Sequence, residues 1–301
     1  MTFELDHARH DPGHCLAPGL FRALGNGERM RLKLAVAHRL SDKVTIEFSG
    51  PEPLDAVDLR VLQGLVAIAG PNGKTLTSEP KSEVGTALRK GLVMLLDDAD
   101  ADALVVRCSF RNLAKEIGYQ DVENTRIIRE SVERLWKVSV VRQEAGKRKG
   151  YRLLSFYASD ETSSLGRLTV ALNPALARSV LGQNQHTRIS LIEVRAIKAN
   201  VTRLIHQRLC GWVDAGASRD VSLNTLVGYA WPDPSNNPNT QKSRKKAVKA
   251  GLGELQSLGW GVVEYLAEKY SIRRPRLGET TSFTTPHSLF YDTPVPVLRH
   301  L

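Results

Sequence analysis

One stretch of the chain, between residues 239 and 258, has the residue types and spacing to bind a polyanion. Successive residues of a helix advance by about 100°, which groups four lysines within about 100° of one another: Lys242, Lys245, Lys246 and Lys249. Val248, Leu252 and Leu255 fall on the opposite side, and no acid occurs between Asn239 and Gly253. A helix with such an unbalanced basic face can meet phosphates and base edges in the major groove of DNA.

We predict that two further basic segments contact phosphates beside this helix. One is the end of the following hairpin, and the other is a turn in the first half of the chain. The predicted DNA-binding residues are Asn239, Gln241, Lys242, Lys245, Lys246, Lys249, Arg273, Arg274, Lys147, Arg148 and Lys149. The alternatives are a plain solvated helix face and an ordinary exposed hairpin.

Two enzymatic interpretations fail on spacing. The segment Gly70–Thr75 is similar to a phosphate-binding loop, but that motif requires a glycine where Ile68 stands, and the segment follows a predicted helix. A DNA-nicking initiator needs a His-x-His pair to hold its metal, and none of the eight histidines is so spaced. We therefore expect no catalytic site and no cofactor.

Metal-ligating residues crowd only at the N-terminus, as His7, His10, His14 and Cys15. No second ligand pair at standard spacing closes a zinc site there, so we favour a flexible or locally packed arm. The three cysteines are far apart and form no Cys-x-x-Cys motif, which indicates reduced thiols. We therefore expect no bound metal. We also expect the acidic run 97–102 to be a solvated loop.

Composition and charge favour an anionic partner. The 301 residues have room for about two domains, and 42 basic against 32 acidic residues leave a net charge of +10. Residues 1–185 carry +3 and residues 186–301 carry +7, so the second part is the more basic. The longest nearly apolar stretch, Leu62–Ala69, is far short of the ~20 residues that span a bilayer. Since the N-terminus also lacks the pattern of a secretory signal, we expect a cytoplasmic protein without membrane contact.

The order of predicted elements is repeated after about 115 residues. The first copy consists of the strand Leu104–Cys108, the helices Phe110–Ile117 and Asp121–Trp136, and a hairpin of Val138–Gln143 and Tyr151–Tyr157 joined by Glu144–Gly150. The second consists of the helices Glu193–Val213, Ser222–Tyr229 and Asn239–Leu258, and a hairpin of Trp260–Leu266 and Tyr270–Arg274. Helix, turn, helix and hairpin is the order of a winged helix.

We therefore predict an α+β, helix-rich fold of two tandem winged-helix domains with β-hairpin wings. Residues 1–185 form a domain for auxiliary DNA contact and for partner contact or self-association. Residues 186–275 form the recognition domain, and residues 276–301, rich in Pro and Thr, form an unordered tail. A strand at Val44–Phe48 and helices at Asp55–Ala69 and Glu83–Leu96 complete the first domain.

Six segments of the sequence resemble a known family. The match runs in order from about Arg9 to Pro275. The chain resembles the RepC replication initiators of broad-host-range IncQ plasmids in Arg9–Arg22, Glu47–Leu54, Gln63–Ala67, Glu133–Val138, Ala171–Pro174 and His206–Trp212.

The resemblance implies binding to directly repeated iterons in a double-stranded plasmid origin and opening of an adjacent A·T-rich segment. It also implies a plasmid-encoded helicase and primase as partners. The alternative is a winged-helix transcriptional repressor, which would bind a palindrome as a symmetric dimer. The unequal charge of the two copies favours an initiator with two unlike domains. Whether the chain forms a dimer stays open.

Overall fold

The computed structural model describes residues 5–72, 74–76, 103–122, 125–160 and 166–276. Helices and strands alternate along these residues, which confirms a mixed α and β architecture. The predicted helix Glu83–Leu96, the acidic run 97–102 and the tail from residue 277 onward lie outside the described residues.

Ten helices are present in the described part of the chain. They are α1 (Pro12–Leu16), α2 (Glu28–Arg31), α3 (Ala56–Asn72), α4 (Phe110–Glu116), α5 (Arg126–Lys137), α6 (Pro174–Val180), α7 (Leu191–Ala196), α8 (Asn200–Trp212), α9 (Leu223–Ala230) and α10 (Pro238–Ser257).

Thirteen strands accompany them, again within the described residues. They are β1 (His7–His10), β2 (Leu34–Ser41), β3 (Val44–Gly50), β4 (Lys74–Leu76), β5 (Ala103–Ser109), β6 (Ser139–Glu144), β7 (Lys147–Arg152), β8 (Leu154–Ser159), β9 (Arg167–Leu172), β10 (Thr187–Ser190), β11 (Ser218–Ser222), β12 (Gly261–Leu266) and β13 (Lys269–Arg273).

Two of the sheets show the same strand arrangement. Along the chain, β5 is followed by α4 and α5, then by the inserted strands β6 and β7, and then by β8 and β9. Strand β11 is followed by α9, α10, β12 and β13 without an insertion. In both sheets the last strand lies between the other two, in the orders β5-β9-β8 and β11-β13-β12, with β4 added at the edge of the first. The repeated order of elements is therefore matched by a repeated sheet topology.

The predicted hairpin after α5 is wrong in its pairing. β6 and β7 form a tight hairpin around Ala145 and Gly146, both at positive φ, and β6 pairs with β3 in the sheet β2-β3-β6-β7. The strand that we predicted at Tyr151–Tyr157 is divided between β7 and β8, and β8 pairs with β9. The hairpin equivalent to β12–β13 is thus β8–β9. A two-residue turn with positive φ is a strong hairpin signal, but it does not indicate which sheet the hairpin joins.

The predicted long helix Glu193–Val213 is two helices. The chain is extended at Ile197 and Ala199, between α7 and α8. The Glu254 carboxylate of α10 accepts the backbone N–H groups of Lys198 and Ala199, and Arg203 donates to the carbonyl of Ile197. Glu254, which is distant in sequence, and the nearby Arg203 therefore satisfy the backbone groups exposed by the break, as helix termini require.

Helix α3 extends beyond its predicted end at Ala69 and includes Gly70 and Pro71. Gly64, in the same helix, lies where α3 approaches α4: a Cβ there would be 2.2 Å from Cγ2 of Ile117. Only a residue without a side chain allows this close approach.

One hydrophobic cluster includes residues on both sides of position 185. β1 pairs with β10 from His7 to His10, and the Gln63 amide of α3 donates to the Gln207 side-chain oxygen of α8 at 2.6 Å. The Gln207 amide in turn donates to the Cys15 sulfur at 3.0 Å. The N-terminal arm and α3 therefore pack directly against the second repeat.

Candidate nucleic-acid interface

Helix α10 is held in the second repeat by its apolar side, as predicted. Asn237 caps its start by accepting the N–H groups of Asn239 and Thr240, and Pro238 follows at the first helical position. Val248, Leu252 and Leu255 are buried. This packing directs the opposite side of α10 to the solvent.

The solvent side of α10 begins with Asn239 and continues with Lys242 and Lys246, all exposed. Lys242 and Lys246 are one helical turn apart and lie on the same face. Neither lysine makes an ion pair with another described residue. We name these three residues the outer row of α10.

Lys245 and Lys249 form a second row, on the side of α10 that faces the β12–β13 hairpin. The Lys245 ammonium lies 2.8 and 2.7 Å from the two carboxylate oxygens of Glu268, in the turn of that hairpin. Lys249 lies 3.9 Å from a carboxylate oxygen of Glu264 on β12. These two predicted DNA-binding lysines are therefore paired with acids of their own domain.

The loop before α10 is stabilised by Gln241, a predicted DNA-binding residue, and by Arg244. The Gln241 amide donates to the Ser235 carbonyl at 2.6 Å, so this exposed residue supports the loop. Arg244 donates to the Asp233 carbonyl at 2.8 Å and lies over the Trp231 ring. The loop thus holds the N-terminal end of α10 in a defined position.

Arg273 and Arg274, at the end of the hairpin, differ in their surroundings. Arg273 is exposed on β13. The Arg274 guanidinium donates to the carbonyl of Cys210 at 2.7 Å, to that of Val213 at 3.2 Å and to that of Arg188. These hydrogen bonds link the residue after β13 to the end of α8 and to β10, so the predicted phosphate contact of Arg274 would compete with them.

The predicted basic turn of the first half is a strand. Lys147, Arg148 and Lys149 begin β7, at the edge of the sheet β2-β3-β6-β7. The Arg148 guanidinium pairs with the Glu47 carboxylate at 2.8 Å. Lys147 and Arg148 are exposed and Lys149 is half-buried, but none of the three belongs to the hairpin equivalent to β12–β13.

Helix α5, the counterpart of α10, uses two of its arginines inside the domain. The Arg134 guanidinium donates to the buried Asp58 carboxylate at 3.0 Å, and Arg129 lies over the Phe110 ring. Burial raises the pKa of Asp58, and the neighbouring Asp55 carboxylate adds to this effect. Hence α5 contributes less positive surface than its sequence indicates.

A buried polar cluster that the sequence analysis missed lies where α7, α8 and the start of β12 meet. The Glu193 carboxylate is 2.6 Å from Nε2 of His206 and accepts from the Trp260 indole at 3.3 Å. The Cys210 sulfur is 3.4 Å from the same His206 nitrogen. Burial disfavours the charged His206, but Cys210 and Glu193 outweigh it and raise the pKa of His206 to about 10. The available signal was the spacing of His206 and Cys210, four residues apart on one helix face.

Ligand atoms of Glu193, His206 and Cys210 lie within 4.8 Å of one another, which makes them a candidate metal-ligand set within the described residues. Zinc bonds to nitrogen and oxygen of about 2.0 Å need ligand atoms more than 3 Å apart. The 2.6 Å contact between Glu193 and His206 is instead a hydrogen bond. The arrangement is that of a buried ion pair.

The histidines of the N-terminal arm are packed locally. His10 and His14 are buried, and Nδ1 of His14 lies 2.6 Å from the Asp11 carboxylate that caps α1. Of the two forms of the arm that we predicted, flexible or locally packed, the structure has the packed one.

Comparisons with known proteins place this architecture in a family. A family model described as Replication protein C (RepC) matches residues 2–276. The chain belongs to the RepC family. The predicted resemblance is thereby confirmed at the level of the family, and the RepC match includes both repeats and α10.

A solved structure has a similar fold. The crystal structure of selenomethionine derivatives of domains 2 and 3 of RctB superimposes with a TM-score of 0.52. The alignment covers 88% of this chain and 98% of that chain at 11% identity, so the similarity is one of fold alone. The search of curated proteins gives no match. Within the described residues, no helix combines the length and apolar character needed to cross a bilayer.

Proposed function

We propose that this RepC-family protein is a plasmid replication initiator of the IncQ type, which binds directly repeated iterons at the origin. The observation that carries the proposal is the outer row of α10, where Lys242 and Lys246 are exposed and have no acid partner among the described residues. Phosphate contacts from such lysines supply most of the affinity of a protein for DNA, and neighbouring polar side chains read the bases.

We further propose that both repeats are winged helices. This is supported by the repeated strand order, in which the last strand lies between the other two. In this interpretation α5 and α10 are the helices that approach DNA, and β8–β9 and β12–β13 are the wings. The domain of residues 186–275 reads sequence, while residues 1–185 add affinity and partner contacts. The ion pairs of Arg134 and Arg148 support this division, because they leave residues 1–185 with less free positive charge.

Binding to several tandem iterons would concentrate the protein at the origin. Bending or untwisting of the bound DNA would then favour melting of the adjacent A·T-rich region. The plasmid helicase and primase are the proposed partners that continue the reaction. The protein itself is proposed to be no enzyme, because Ile68 occupies the glycine position of the phosphate loop and the sequence has no His-x-His pair.

A nuclease footprint of the full-length protein on its own plasmid origin tests the proposal. Protection of direct repeats, each covered in the same orientation, is the expected result. Protection of a single palindrome would contradict it and favour the transcriptional repressor. A helicase-loading assay on the same DNA, with and without the protein, tests the recruitment step separately.

A further inference from the structure

The two acids that face α10 have no place in the proposed contact with DNA. Glu264 and Glu268 lie on the β12–β13 hairpin, beside helix α10, which is proposed to contact DNA. Carboxylates at such a position repel phosphates, so their presence needs an explanation in terms of binding.

The hairpin holds both carboxylates in defined positions. Glu268 adopts a positive φ of 59° in the turn, and its carbonyl accepts the N–H of Leu223 at the start of α9, at 2.8 Å. Its own N–H donates to the Glu264 carboxylate at 2.9 Å. The Glu268 amide, followed by the Tyr270 hydroxyl, lowers the pKa of Glu264, which keeps this carboxylate charged.

The result is that two of the four lysines of α10 have an acid partner before DNA binds. Lys245 is held by both oxygens of Glu268 and Lys249 lies beside Glu264, while Lys242 and Lys246 remain available. A duplex that approaches the helix therefore meets two unpaired cations instead of four.

We propose that Glu264 and Glu268 are specificity-determining residues, which suppress binding to non-cognate DNA by holding Lys245 and Lys249 in ion pairs. The inference rests on the proposed function. Non-specific binding consists almost entirely of phosphate contacts, so each lysine that is withheld weakens it. Cognate binding adds base contacts through the outer row and so depends less on the withheld lysines.

The test uses the full-length variant Glu264→Gln/Glu268→Gln. Glutamine is nearly isosteric and its side-chain oxygen can still accept the Glu268 backbone N–H, so the hairpin is retained while Lys245 and Lys249 are released. Binding is measured to an origin fragment and to a scrambled duplex of equal length, each over a salt titration. The matched control is Asp42→Asn, which removes an exposed, ion-paired acid from the β2–β3 turn.

We expect the affinity of the variant for scrambled DNA to rise about tenfold, with a salt slope steeper by about 1.8, the value for two added phosphate contacts. Affinity for the origin should rise by less than about threefold, so that discrimination falls, and the control should follow the wild type. Equal gains on both duplexes, or a gain as large in the control, would overturn the inference and leave the proposed function intact. Failure of the wild type itself to prefer origin DNA would overturn both.

Discussion

Removing the two unpaired lysines of α10 should change how binding depends on salt. In the variant Lys242→Ala/Lys246→Ala, both residues of the outer row that can reach phosphates lose their charge, and neither substitution breaks an ion pair with a described residue. Each phosphate contact contributes about 0.9 to the slope of log K against log salt. The slope of the variant should therefore be smaller by about 1.8.

This difference in salt slope can be measured even if the DNA is not saturated with protein at high salt. Between about 50 and 200 mM salt, a slope difference of 1.8 changes the ratio of wild-type to variant affinity by about 12-fold, with the larger loss at low salt. Fluorescence anisotropy with an origin duplex at five or six salt concentrations gives both slopes. Alanine is a good helix former, so the helix itself should be preserved.

The matched control is Lys245→Ala/Lys249→Ala, which removes the same charge from the same helix. Because these lysines are paired with Glu268 and Glu264 and are withheld from phosphates, we expect the slope to stay close to that of the wild type. If instead the control lowers the slope by about 1.8 and the outer-row variant does not, the wrong row has been assigned to DNA.

Three other properties can be tested on the purified protein. Between pH 6.5 and 10 the free energy of unfolding should fall as pH rises, because folding favours the charged His206; in His206→Gln this dependence should be weaker. Gly64→Ala should cost about 1–3 kcal/mol in urea unfolding because of the close Ile117 side chain. Gly70→Ala in the same helix, where a Cβ meets nothing within 4 Å, is its control. The protein should hydrolyse no ATP and nick no DNA, and Lys74→Ala should leave origin binding unchanged. If the wild type hydrolyses ATP and Lys74→Ala abolishes this activity, the proposal that the protein is no enzyme is contradicted.

Local signals predicted several elements of the second repeat well. The short helix after β11 begins at Leu223, one residue from its predicted start, and the Ser222 hydroxyl caps it by accepting the Thr225 N–H at 3.1 Å. The apolar side of α10 at Val248, Leu252 and Leu255 is buried as its periodicity indicated. Caps and periodicity depend on residues within a few positions of one another, so they can be recognised without knowledge of the fold.

Errors occurred where residues distant in sequence decide the outcome. The break between α7 and α8 depends on Glu254, more than fifty residues away, and the β6–β7 hairpin joins β3 rather than its neighbour β8. No local pattern distinguishes a hairpin that continues one sheet from one that completes another, because both have the same turn and the same alternation.

The composition of the candidate interface could be derived from the order of residues, but its charge state could not. Helical periodicity alone groups the four lysines of α10 on one side. Whether a lysine of that group is available for phosphate depends on which acids the β12–β13 hairpin brings to it, and this differs between Lys242 and Lys245. Ion pairs form across space between side chains that folding brings within about 4 Å, so only the tertiary structure separates the outer row from the paired one.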